Sequence, residues 1–120
     1  MTTRLDEYVA PVDPAQRKTI AGATSISGAG DNTVVTPASG KFLLLQYICL
    51  SADGGNSADV TATVIIGSSS KYKVSLKPGA IWARNIGAGR RVVVGDIDET
   101  LKINLSAAQS VHVSHEREEY

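Results

Sequence analysis

The sequence predicts an all-β protein: a single-domain antiparallel β-sandwich, jelly-roll-like, with an extended N-terminal arm. Three observations lead there. Short runs rich in Val, Ile, Thr and Leu recur between Asn32 and Ser114, roughly every ten residues, the strand spacing of a sandwich or barrel. Gly, Pro, Asn and Ser clusters punctuate those runs. Several runs alternate apolar and polar side chains at period two, and none has the length and period of a helix. About eight or nine strands result, enough for two sheets packed face to face.

The organisation is an arm over residues 1–16, a sandwich over 17–115 and an acidic tail over 116–120. The arm holds Pro11 and Pro14, which remove donors and keep the preceding residues extended, so it suits no central strand. It also carries Leu5, Tyr8, Val9 and Val12. These are numerous for a solvated tail, and they make the arm a candidate for ordering on a partner; a frayed terminus is the plainer reading. Lys18 to Ile20 reads as a first short strand, followed by a Gly/Ser/Ala-rich connection to Gly30. Asn32 to Thr36 reads as the next strand, closed by Pro37 and a turn at Ser39-Gly40.

Lys41 to Ser51 is apolar at both parities: Phe42, Leu44, Ile48 and Leu50 on one, Leu43, Leu45, Tyr47 and Cys49 on the other. A strand covered on both faces has this composition. One face would join the core and the other would meet a second element or subunit, which makes Leu43, Leu45 and Tyr47 candidate contacts. A buried helix is the rival reading. Asp53-Gly54-Gly55-Asn56 carries the strongest hairpin signal. Val60, Ala62, Val64 and Ile66 then alternate with Thr61, Thr63 and Ile65, a half-buried strand. Tyr72, Val74 and Leu76 alternate with Lys71, Lys73, Ser75 and Lys77, and such lysines discourage pairing at a sheet edge. Pro78-Gly79 turns into a strand with Trp82. Arg90 to Val94, then Leu101 to Ser106, then Val111 to Val113 supply the remaining strands.

A chain of 120 residues with 42% hydrophobic content is one domain, burying roughly two-thirds of its unfolded surface, so a core forms without disulfides or metals. Twelve basic and twelve acidic residues cancel, which argues against broad electrostatic binding to nucleic acid or anionic membrane. Cys49, the only cysteine, reads as an inert thiol in an apolar run. The acid-bearing N-terminus has no secretory h-region and no run nears about 18 apolar residues, so synthesis in a cytoplasm is expected.

Candidate chemistry is sparse. His112 and His115 have helical ligand spacing, yet on a strand they point to opposite faces, so two surface histidines are expected. Asp96, Asp98 and Thr100 resemble the opening of a calcium loop, but its sixth position is Leu101 and no glutamate closes it. Gly87-Ala88-Gly89-Arg90-Arg91 lacks the third glycine and the helix of a phosphate cradle. No Gly-x-Ser-x-Gly occurs, so no enzyme and no cofactor are expected. Trp82 and Arg84 share one strand face, where they could serve a partner or, with Tyr72 and Tyr47, a sugar platform; a tryptophan filling core or interface is the plainer reading.

The order Ser-Gly-x-Gly-Asp-Asn-Thr-Val-Val (Ser27 to Val35), then Gly40-Lys41 before a long apolar strand, then Leu101-Lys102-Ile103-Asn104-Leu105-Ser106-Ala107-Ala108 before Val-His-Val, resembles small phage-encoded β-sandwich virion proteins. The likeness spans roughly Arg17 to His115, with the Asn-Leu-Ser-Ala-Ala hairpin its most telling part. It implies a non-enzymatic decoration or cement protein on the virion capsid surface. Its implied partner is a major capsid protein or another virion protein, with self-association as a dimer or trimer. A tail, neck or fibre component and a carbohydrate-binding adhesion module are the alternatives. Met1 to Gln16 and Glu116 to Tyr120 fall outside the shared pattern, so docking details do not carry over.

Overall fold

The computed structural model describes residues 19–86 and 93–120. The arm residues Leu5, Tyr8, Val9 and Val12, and Gly87 to Arg91, lie outside the described residues. Those described form β1 (Ile20–Ile26), β2 (Gly30–Val35), β3 (Leu43–Ala52), β4 (Val60–Ile66), β5 (Ser69–Leu76), β6 (Ile81–Asn85), β7 (Val93–Val94), β8 (Leu101–Leu105) and β9 (Val111–Glu119). No helix is among them, so the helical alternative for the run around Leu45 is excluded. Two antiparallel sheets result. One has the order β1-β9-β3-β6, with β7 also paired to β3; the other has the order β2-β8-β4-β5.

The core lies between the sheets. Leu43, Leu45, Ile48 and Leu50 of β3, Val60, Ala62, Val64 and Ile66 of β4, Leu101, Ile103 and Leu105 of β8, and Val111 and Val113 of β9 are all buried. Strands β4 and β8 reach this through simple alternation, buried and half-buried residues taking turns. Strand β3 does not. Its pairing with β9 shifts between Leu45 and Tyr47, opposite Arg117 and Glu116. Gln46 is the extra residue of a β-bulge, and one extra residue flips every later side chain to the other face. Leu43 and Leu45 therefore point inward before the bulge, and Ile48, Leu50 and Ala52 after it. The apolar content at both parities is thus largely one buried face read across a bulge. Leu43 and Leu45, expected as partner contacts, are core residues with no exposure.

Other local expectations are corrected too. The small-residue run after Ile20 is itself strand β1, paired along its length with β9. Asp53 to Asn56 does turn the chain: the Asp53 carboxylate accepts from Gly55 N at 2.9 Å and its carbonyl from Asn56 N at 3.1 Å. Yet it joins β3 to β4 in the opposite sheet, so it is a corner and not a hairpin. Leu105 to Ala108 likewise passes from β8 to β9 across the sheets. The tight hairpin is at Gly67-Ser68, between paired β4 and β5. Gly67 has φ of 65°, and a Cβ there would meet the Glu99 carboxylate, so glycine suits the turn. The closing residues expected as a solvated tail continue β9: Glu118 is buried, and Tyr120 stacks on Phe42 with ring centroids 5.5 Å apart.

Candidate functional site

Two sheets leave two open flanks, and this chain closes them differently. One flank lies between edge strands β5 and β6. Register places Tyr72 opposite Val64, and Trp82 and Arg84 opposite Leu50 and Ile48. All three side chains therefore project toward the inter-sheet space. Trp82 and Tyr72 meet at 5.5 Å between centroids with a 54° tilt, and both pack against the core. The Arg84 guanidinium stands 5.5 Å from the centre of the Tyr72 ring, a cation–π contact. The shared face expected for Trp82 and Arg84 is present. Its partner is Tyr72 of the same chain, so the two aromatic rings plug the sandwich instead of lying open as a flat platform.

The other flank lies between edge strands β1 and β2 and is built from small residues. Ile20, Gly22, Thr24 and Ile26 pair with Arg117, His115, Val113 and Val111 and face inward with them. A cleft of about 310 Å³ remains, lined by Ile20 to Thr24, Val34 to Thr36, His115 and Arg117. His115, expected at the surface, is 5% exposed, and its Nδ1 has no hydrogen-bond partner among the described residues. Its ring covers Gly22 so closely that a Cβ there would lie 2.6 Å from Nε2. Burial pushes the imidazole pKa below its ordinary value, and the neighbouring Arg117 charge adds to that. His112, by contrast, is exposed on the outer face, with Nδ1 3.2 Å from Ser25 Oγ.

Beside His115 the inner row of β9 turns ionic. Arg117 Nε donates to Glu119 Oε2 at 2.9 Å, and Glu119 Oε1 accepts from Ala38 N at 2.9 Å. That backbone donor, more than the Arg117 charge, holds the Glu119 carboxyl below its ordinary range. The acids near Asp98 are likewise committed to turns. Asp98 Oδ1 accepts from Gly40 N at 2.7 Å, and Glu99 Oε1 from Asp96 N at 2.8 Å.

The two outer faces contrast. On the four-stranded sheet β5 carries Lys71 and Lys73, with Lys77 just beyond, and β8 carries Lys102. The five-stranded sheet presents rows without charge: Ile81, Ser51, His112 and Ser25, then Ala83, Cys49, Ser114 and Ala23. Ile81 is 70% exposed. Below these rows the bulge opens a depression of about 370 Å³ lined by Thr19, Gln46, Tyr47, Asn85, Glu116 and Glu118. Tyr47, expected as a contact residue, is half-buried there. Its phenol pKa is raised first by hydrogen-bonding and electrostatic interaction with the Cys49 side chain, then by burial and by Glu116.

Sequence reasoning missed the His115 cleft and the uncharged face. Among the described residues no group of three His, Cys, Asp or Glu side chains is placed to hold a metal ion. No protein-family model and no curated protein matches the chain.

Proposed function

We propose that this chain is a non-enzymatic structural protein of a bacteriophage virion, most concretely a head decoration protein that binds the outside of the capsid and stabilises it. The observation that carries the reading is the strand order. β1-β9-β3-β6 facing β2-β8-β4-β5 supports reading the two sheets as a jelly roll with β7 as an added edge piece, an architecture recurrent in viral capsid proteins. The unequal faces support it further. A lysine-bearing sheet suits solvent, and the uncharged rows around Cys49, Ala83 and Ser114 suit burial against a partner.

The mechanism is mechanical. A footprint of about 800 Å² per partner is ordinary for a specific interface, and apolar area contributes about 25 cal/mol per Å² before the costs of association. A footprint straddling a boundary between capsid subunits therefore resists its opening. Homo-oligomers multiply weak footprints by avidity.

Because Trp82 is packed against Tyr72 at 5.5 Å, the sugar-platform alternative loses its open aromatic face. Virions labelled at Tyr120 test the reading: label on the head supports it, and label on the tail or neck replaces it with the tail-component alternative. Glycan binding abolished by Trp82→Ala would revive the adhesion module.

A further inference from the structure

From the contrast between its sheet edges, we infer that β1 is a docking edge for β1 of a second copy of this chain, running antiparallel across a two-fold axis at Ala23. The inference deepens the homo-oligomer part of the reading above and rests on it.

Among the described residues each of the two sheets ends in unpaired edges, and an unpaired edge invites another strand unless it is guarded. Edge β5 is guarded by Lys71 and Lys73, with Lys77 beyond it. Two copies meeting there would set like charges opposite one another. Edge β6 carries Arg84. Edge β1, Ile-Ala-Gly-Ala-Thr-Ser-Ile, has no charge, no proline and no bulky outward side chain over seven residues. It pairs with β9 in unbroken register, and among the described residues no strand takes its other side. A regular, uncharged edge of this kind is the substrate for strand addition.

The sequence of β1 is also close to self-complementary about its centre. Antiparallel pairing at Ala23 sets Ile20 against Ile26 of the second copy, Ala21 against Ser25, Gly22 against Thr24 and Ala23 against Ala23. The inward set, Ile20, Gly22, Thr24 and Ile26, stays inward in both copies. Ile20, 37% exposed in the single chain, is then covered by Ile26 of the other. The outward set is Ala21, Ala23 and Ser25, all exposed and small, so none of these side chains obstructs the approach. An isologous interface requires this kind of self-match. The product is one continuous sheet, β6-β3-β9-β1 joined to its two-fold copy, which doubles the outer rows of Ile81 to Ser25 and Ala83 to Ala23 proposed to meet the capsid.

The test uses the full chain. Size exclusion with light scattering is expected to give a dimer, or a multiple of it. Ala23→Lys, which sets two like charges across the axis, is expected to halve the mass while the variant still unfolds cooperatively, its melting temperature no longer dependent on concentration. Mixing Ala23→Lys with Ala23→Glu is expected to restore the original mass. Ala23→Cys in a Cys49→Ser background is expected to crosslink on mild oxidation. Directly opposed Cα atoms about 4.5–5.5 Å apart fall within disulfide range. Ser75→Cys on the lysine-guarded edge is the slow control.

An oligomer untouched by Ala23→Lys and not crosslinked through residue 23 overturns this edge and leaves the oligomer reading standing. A monomer at every concentration overturns both. A monomer whose β1 amides resist hydrogen exchange assigns the edge to a segment of the same chain and likewise overturns the proposal.

Discussion

Gly22→Ala is the perturbation that reports most directly on how the β1–β2 flank is built. The added methyl would lie 2.6 Å from His115 Nε2 and 2.7 Å from Cε1. The ring it meets is 5% exposed, so the methyl must push it toward the adjoining cleft. Overpacking costs about 1–3 kcal/mol, and replacing glycine in a strand interior returns about 0.5–1 kcal/mol. The net expectation is a loss of up to about 2.5 kcal/mol. Unfolding entropy near 2.1 cal/mol/K per residue makes each kcal/mol worth about 4 °C for a chain this long, so the melting temperature should fall by up to about 10 °C. The decisive assay is a double-mutant cycle by urea or thermal unfolding. With His115→Ala the obstruction is gone, and Gly22→Ala should become neutral or stabilising, giving a coupling of about 1–3 kcal/mol. Equal effects of Gly22→Ala in both backgrounds would refute the close approach and, with it, the placement of His115 beneath β1.

Three further outcomes follow from the packing. Leu45→Ala should cost about 2–5 kcal/mol in urea unfolding, because the side chain is wholly buried; a neutral result would return it to the surface contacts expected from sequence. Trp82→Ala should cost about 2–3 kcal/mol through lost burial and the lost Tyr72 pairing, with Tyr72→Ala sharing part of that loss in a cycle. Stability should also fall on acidification in two windows. His115 has a folded pKa below 6.5, so the unfolded chain takes up the proton first. Its contribution is complete above 6.5 and is lost as pH drops from there through the lowered folded value. Glu119, lowered from 4.5 by its bond from Ala38 N, contributes fully above 4.5 and loses that contribution as pH falls through its lowered folded value. Melting temperatures across that range should show both declines, and His115→Gln should remove only the upper one.

The parts of the fold that were legible in the sequence are those where one residue faces in and the next out. Strands β4 and β8 alternate without interruption, and the i, i+2 spacing of Trp82 and Arg84 rightly put them on one face. Strand β3 misled because the Gln46 bulge changes parity midway, and a bulge has no side-chain signature of its own. Strand β1 was read mostly as a linker because Gly and Ala have low intrinsic strand preference. It is held instead by its seven partners on β9 and by the room Gly22 leaves for His115. The turn chemistry at Asp53 was visible, but hydrogen bonds within a turn do not encode which sheet the next strand joins. The ionic end of β9 read as solvent-loving because its Arg117–Glu119 pairing and the backbone donor at Ala38 appear only once the strand is in place.

Attachment to a capsid through the small-residue rows of the five-stranded sheet is tested most directly by co-sedimentation with undecorated phage heads. Saturable binding at a fixed ratio to the capsid subunit is expected. Ala83→Glu combined with Ser114→Glu, both on the uncharged rows, should abolish it, while Lys73→Glu on the opposite sheet should leave it intact. Saturable binding that survives the first pair of substitutions and vanishes with the second would contradict the assigned face, and no retention by heads at any concentration would contradict the claim itself.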